Sequence, residues 1–296
     1  MLMNAIRPSA PLNIIARLPF ARRLALRLYN RWCMTVRPHS RARTWFGASM
    51  DCDVRDMIQA TIIHLGSWEP RLSAILPCLI DEGDVVADVG ANIGYYTLLF
   101  SKAVGPDGKV VAIEALPRLA ERIRGHIALN GAANIEVQAV ALSDRSGTVT
   151  IHEAADTNIG MTTIVPERGI KASGEVACRR LQDLLSPDDR QRLTLIKIDI
   201  EGAEPPVMRD LIDHLPLYSR HPAIAVEVSP SPSWAALFDR LRAEGYRAFD
   251  LHNDYDWLAL IDEPSRSPSE IDRLPERQAD ILFVRDEAQL GRILAL

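Results

Sequence analysis

The acidic residues Asp88, Glu114, Asp199 and Glu201 have types and positions that could do chemistry in this 296-residue chain. Asp88 lies in Asp84-Val-Val-Ala-Asp88-Val-Gly90-Ala-Asn92-Ile-Gly94-Tyr-Tyr-Thr97, which reads as a buried strand, a glycine-bearing turn and an apolar helix. That is the arrangement in which a backbone approaches a nucleotide. Gly90 and Gly94 suit turn geometries that a side chain would obstruct. Glu114 follows Gly94 by twenty residues and ends the next apolar run. A carboxylate there can accept two hydrogen bonds from ribose hydroxyls.

The loop also discriminates between nucleotides. A dinucleotide loop needs G-x-G-x-x-G to place a pyrophosphate at the helix N-terminus, whereas here Asn92 takes the middle position and Asp88 sits two residues ahead of Gly90. A carboxylate that close repels a pyrophosphate and attracts a cation. S-adenosylmethionine, with a sulfonium, an ammonium and no phosphate, fits better than NAD. The G-x-x-x-x-G-K-S/T pattern for ATP or GTP is absent.

A second cluster, Leu195-Ile-Lys197-Ile-Asp199-Ile-Glu201-Gly202-Ala-Glu204, puts three carboxylates directly after another buried strand. Strand carboxyl ends of an open parallel sheet face the ligand crevice. Alternation puts Lys197 and Asp199 on one face, where they can pair. Asp199 is expected to orient or deprotonate an acceptor hydroxyl, with Glu201 as second candidate and Glu227 on the same rim. The competing reading makes these acids caps of a helix starting near Glu204. No metal-ligand set is complete.

A sheet is needed to carry these acids. Apolar runs at 85–89, 110–114, 135–142, 193–199, 223–228, 246–251 and 281–285 alternate with helical stretches at 94–104, 117–130 and 234–245. Buried runs between helices predict a mostly parallel sheet covered on both faces. Residues 147–181 break the rhythm and read as an inserted hairpin or flap. Residues 262–280, rich in Pro, Ser and charge, read as a surface loop.

Composition bounds the rest. With 47% hydrophobic and 25% charged residues, the chain is neither disordered nor a membrane bundle. Four scattered cysteines without zinc spacing point to a reducing compartment, so the cytoplasm is expected, at most peripheral to the inner membrane surface. The first 50 residues carry nine arginines and no acid, while the remaining 25 basic residues face 39 acidic ones. The acidic body is not built to hold a nucleic-acid backbone. Residues 19–34 predict a helix with Phe20, Leu24, Leu28 and Trp32 every fourth residue, bordered by Arg22, Arg23, Arg27 and Arg31. Such a helix can lie on an anionic membrane, each basic residue near the surface contributing about 1 kcal/mol, or pack its stripe onto the body or a second subunit. No apolar run reaches the ~18 residues that span a bilayer.

The motifs D-V-G-A-N-I-G-Y-Y-T (88–97), E-A-L-P (114–117), A-L-S-D (141–144) and K-I-D-I-E-G-A-E (197–204) resemble those of the FkbM family of S-adenosylmethionine-dependent methyltransferases, as do W-E-P (68–70) and I-L-F-V-R (281–285). The resemblance covers about 64–286 and departs at 114–117, where the family has E-P-x-P. It implies an α/β class I methyltransferase (Rossmann-like) fold: a seven-stranded, mostly parallel sheet with helices on both faces, the strand 281–285 inserted antiparallel between 223–228 and 246–251. Residues 1–63 are then a basic N-terminal helical extension and 64–296 the methyltransferase domain. The resemblance implies that Gly90, Ala91 and Asn92, ahead of Gly94, form the loop under the donor's methionine portion. Asp88 orients the donor from below, Glu114 holds the ribose and Asp144 meets the adenine amino group. His64 and Glu69, ahead of the first strand, are expected to close the site from its other side, with Asn158 and Glu227 near the acceptor. The expected function is O-methylation of a hydroxyl on a sugar, glycolipid or polyketide-like product. An NAD-dependent oxidoreductase and a non-catalytic nucleotide-fold binding protein are the alternatives.

Overall fold

The computed structural model describes residues 22–36, 38–153, 163–165, 172–253 and 267–296, with Ser9 and Ile15 besides. Asn158 lies outside the described residues, as do most of the segment expected to form the flap tip and the first residues of the N-terminal arm.

The runs expected as buried strands are most deeply buried at the centre of the sheet, while β5 (Ile135–Gln138), at its edge, is half-buried. Every residue of β3 (Val85–Val89) and β9 (Leu193–Ile198) is shielded from solvent, because β-branched and apolar side chains meet helices on both faces. With β4 (Lys109–Ile113), β5 (Ile135–Gln138), β10 (Ala223–Val228), β11 (Arg247–Asp250), β12 (Ser269–Ile271) and β13 (Ala279–Val284) they form one sheet, ordered β12-β11-β13-β10-β9-β3-β4-β5. β13 slots antiparallel between β10 and β11, while β5, β4, β3, β9 and β10 run parallel. This is the class I methyltransferase arrangement with an eighth strand on its edge.

One face of the sheet packs against α3 (Pro70–Ile75), α4 (Tyr95–Ala103) and α10 (Glu287–Leu294), with Ile75, Phe100 and Leu290 in its core. The other face packs against α8 (Glu204–Asp213) and α9 (Pro232–Ala243) through Met208, Trp234 and Leu241. α5 (Pro117–Asn130) begins with Pro117, whose fixed φ suits a first turn, and ends at Gly131 in the left-handed conformation.

Three features depart from the sequence expectation. The run at 135–142 is split: β5 joins the main sheet, while β6 (Ala141–Leu142) pairs with β8 (Ala172–Arg179) in a separate sheet that β7 (Gly147–His152) completes antiparallel. Part of the segment at 262–280 is strand, because β12 pairs antiparallel with β11 and Arg247 forks onto Glu270 across the pair. The expected helical extension contains, after α1 (Arg22–Val36), the hairpin β1 (His39–Arg43) and β2 (Ser49–Asp53). Its Met50 and Cys52 belong to the main core, so the hairpin is structurally part of the body.

α1 rests on α2 (Met57–Leu65): Cys33 and Tyr29 pack on Val54, Ala60 and Ile63. His64 is fully buried there, its ring 5.2 Å from that of Tyr29. It does not line the cavity described below, contrary to the expectation that it closes the site; the inner face of α2 points it under α1 instead.

Burial pushes the His64 imidazole down from 6.5 to about 4, so the folded chain keeps it neutral where the unfolded chain protonates it. The unfolded state therefore binds more protons across that window, and stability falls as pH drops from about 6.5 to about 4, by up to roughly 3 kcal/mol. Urea unfolding at several pH values should show this slope in the wild type and a flatter one in His64→Phe; identical slopes would contradict it.

Candidate active site

The carboxyl ends of β3, β4, β9 and β10 open onto a cavity of about 340 Å³, lined on one side by Asp88–Ile93, Glu114 and Val140–Leu142 and on the other by Glu69, Lys197, Asp199, Glu201, Glu227 and Asp280. Seven of its lining residues carry carboxyl groups and, among the described residues, Lys197 is the one cation. Such a wall attracts a cationic ligand and repels a phosphorylated one.

The β3–α4 loop is built by close contact. Gly90 stands at φ +77°, and a Cβ there would lie 1.8 Å from the carbonyl oxygen of Asp199, whose N–H donates to Val89 O at 3.0 Å. The loop after β9 is thus clamped onto the end of β3, and only glycine permits the approach. Gly94, at φ +85°, faces the Ile123 side chain, which a Cβ would meet at 3.3 Å. Asn92 is held at φ +53°, and its N–H donates to Glu114 Oε2 at 2.8 Å. The Leu116 N–H donates to Glu114 Oε1 at 2.9 Å. Burial pushes the Glu114 carboxyl up to about 7 while these two backbone donors pull it down. Asn92, Glu69 and Glu201 are three of the described non-glycine residues with positive φ, and all three line the cavity. Strain of this kind persists where the surroundings over-determine it.

Asp88 and Lys197 are neighbours across the β3–β9 ladder. Asp88 is fully buried; its Oδ2 accepts from Thr97 Oγ1 at 2.5 Å. Burial raises its pKa against the opposing pull of Lys197. Lys197 Nζ lies 3.2 Å from Asp199 Oδ2 and 4.7 Å from the Tyr96 ring centroid. Burial disfavours this ammonium, but Asp199, Glu69 and Asp88 outweigh it and raise its pKa, so it stays charged. Asp199 Oδ1 accepts no hydrogen bond among the described residues and the side chain is 35% exposed.

Glu204, not Asp199 or Glu201, closes the β9–α8 loop, accepting from the backbone N–H groups of Ile200 and Gly202. Capping and cavity duties are therefore divided among the three acids. Asp144 does not line the cavity. It lies in the turn after β6, accepting from the Ser143 hydroxyl at 3.2 Å beside Arg145.

Glu69 is nearly buried and accepts from Tyr96 Oη at 2.8 Å and Asn253 Nδ2 at 2.9 Å. Asp280 is the residue that sequence reasoning missed. It pairs with Glu227 in register, and burial with Glu69, Asp199 and Glu227 nearby pushes its carboxyl far above the usual range. The signal was present: a strand inserted antiparallel starts at the sheet's carboxyl edge, so its first acid lands at the crevice.

The residues fit an adenosyl sulfonium donor. Asp88 Oδ1 is buried at the cavity floor with no hydrogen-bond partner among the described residues, a vacancy that an ammonium would fill. Glu114 is held by its backbone donors with lone pairs remaining for hydroxyls.

Gly90→Ala should destabilise the chain by more than the roughly 1–2 kcal/mol that a left-handed backbone costs an L-residue. Gly131→Ala, also at positive φ but in open space, should cost only that. Urea midpoints of the two variants separate clash from strain, and equal losses would refute the clamp.

Residues 88–248, more than half of the chain, match the family described as the methyltransferase FkbM domain. A 70-residue stretch is 43% identical to protein-L-isoaspartate O-methyltransferase 2 of Archaeoglobus fulgidus, covering 23% of this chain and 32% of that protein. Over 154 residues the chain is 29% identical to the methyltransferase sdnD of Sordaria araneosa, covering 42% of this chain and 59% of that one. The chain thus spans less than two thirds of the length of either relative. Among solved structures, a methyltransferase FkbM from Methylobacillus flagellatus matches with TM-score 0.41 and 17% identity, over 68% of this chain and 43% of that one. The chain belongs to the FkbM family of S-adenosylmethionine-dependent methyltransferases.

Proposed function

We propose that the chain O-methylates a hydroxyl of a sugar, glycolipid or polyketide-like product, with Asp199 orienting the acceptor and taking its proton. The observation that carries this reading is the placement of Asp199: at the carboxyl end of β9, half open to the cavity, one oxygen on Lys197 and the other without a hydrogen bond among the described residues. The donor supplies a methyl group on a positively charged sulfur.

The chain's own residues do the rest. The Gly90-Ala91-Asn92 loop and Glu114 are positioned to hold the adenosyl and methionine portions, and Asp88 to meet the ammonium. Lys197 donates to Asp199 and so fixes the carboxylate's rotamer. Burial and three acidic neighbours push the Asp280 carboxyl upward against the pull of Asn253, and in its protonated form it can donate a hydrogen bond to an acceptor oxygen. Glu69, braced by Tyr96 and Asn253, and Glu227 line the same side. A neutral polyhydroxylated acceptor suits this surface better than an anionic one, because carboxylates accept from hydroxyls and repel phosphate or carboxylate. Glu201 lines the same cavity as the second candidate, its backbone carbonyl accepting from Thr163 Oγ1 at 2.7 Å. The NAD-dependent reading has lost its support, both through the family match and through the carboxylate wall.

Proton removal by a placed base contributes roughly 10²–10⁴-fold to rate. Asp199→Asn should lower kcat by that order with any accepted hydroxyl substrate, read as S-adenosylhomocysteine release across a glycan panel. Donor affinity by calorimetry should stay close to wild type. Unchanged turnover would remove Asp199 from the chemistry, and lost donor affinity would reassign it to donor binding.

A further inference from the structure

The outward side of α1 combines two ridges that nothing in the methyltransferase chemistry uses. Leu24, Leu28, Trp32 and Val36 recur every fourth residue and are 61%, 59%, 50% and 55% exposed. At 1.5 Å per residue this apolar ridge runs for about 18 Å. Beside it, Arg23, Arg27 and Arg31 form a second, exposed ridge with the same spacing. Arg27 and Arg31 enter no ion pair among the described residues. The opposite side of the helix, through Cys33 and Tyr29, packs on the body. The exposed stripe is therefore not the face that α1 uses to fold.

Single exposed leucines are ordinary, but a continuous exposed ridge marks an interaction surface. Its chemistry selects among partners. A nucleic acid would use the arginines and leave the leucines and Trp32 in water. A second copy meeting this one about a two-fold axis would bury the apolar ridge but oppose arginine to arginine. An anionic bilayer satisfies both ridges: the apolar side chains enter the acyl boundary while the arginines extend to lipid phosphates. The charge of the chain agrees, since the first 50 residues hold nine arginines and no acid while the remainder is acidic. No helix among the described residues is long and apolar enough to cross a membrane, so the contact lies in the interface plane.

We propose that α1 docks the enzyme on an anionic lipid surface. The test is co-sedimentation of the full chain with phosphatidylcholine vesicles, with and without phosphatidylglycerol, at low and high salt. Binding should require phosphatidylglycerol and weaken with salt. The pairs Leu28→Glu with Trp32→Glu, and Arg27→Glu with Arg31→Glu, should each lower partitioning by about tenfold or more without changing thermal unfolding or S-adenosylmethionine binding. Should either pair fail to fold, the lipid and salt dependence of the wild type still decides. No wild-type binding to phosphatidylglycerol vesicles overturns the proposal. So does equal binding by both variants, a dimer in solution that Leu28→Glu with Trp32→Glu dissolves, or retention by duplex DNA in place of vesicles.

Discussion

Lys197 holds its ammonium beneath a cavity lined by carboxylates, 3.2 Å from Asp199 and within reach of Asp88 and Glu69 in the electrostatic sense. The rest of the site depends on that charge. Without it, Asp88 would be a buried acid beside other acids, and the sheet's carboxyl edge would have no counter-charge in place before the donor arrives. Leaving a fully buried acid such as Asp88 without its neighbouring counter-charge costs about 3–5 kcal/mol. An exposed pair such as Arg41 with Asp51 contributes only about 0–1 kcal/mol. Lys197 is therefore both a structural requirement and the element that aims Asp199.

A single lysine leaves the cavity short of positive charge by several groups. A ligand that brings its own sulfonium and ammonium supplies what is missing, whereas a pyrophosphate would add to the excess. Asp88 Oδ1, buried without a partner among the described residues, is the point where this imbalance is most local. The backbone reinforces it: Gly90 lets the Asp199 carbonyl close against β3, and Glu69, Asn92 and Glu201 hold left-handed conformations around the same space. Three left-handed residues and the uncompensated charge meet on one cavity, which is where a fold is expected to depart from local preference.

How much of this was legible in the sequence follows from how local each feature is. The β3 loop, Glu114 at the next strand end and the pairing of Lys197 with Asp199 depend on strand period and on the rule that crevices lie at strand carboxyl ends, so neighbouring residues sufficed. Asp144 lies outside the cavity lining, past the end of β6 in a turn where strand alternation no longer places side chains. His64 failed because helical spacing cannot say which neighbour covers a buried face. Glu69 was singled out, but its partners Tyr96 and Asn253 are 27 and 184 residues away. Asp280 reaches the site only through the antiparallel insertion of β13. Proline and charge hid β12, whose pairing rests on a long-range strand and the Arg247–Glu270 fork.

The claim most exposed to test is that carboxylate excess selects the ligand. Calorimetric titration of the wild-type chain with S-adenosylmethionine and, separately, with NAD reads it directly. The account predicts saturable heat with the sulfonium compound and none above dilution with NAD; saturable NAD binding without uptake of S-adenosylmethionine would contradict it.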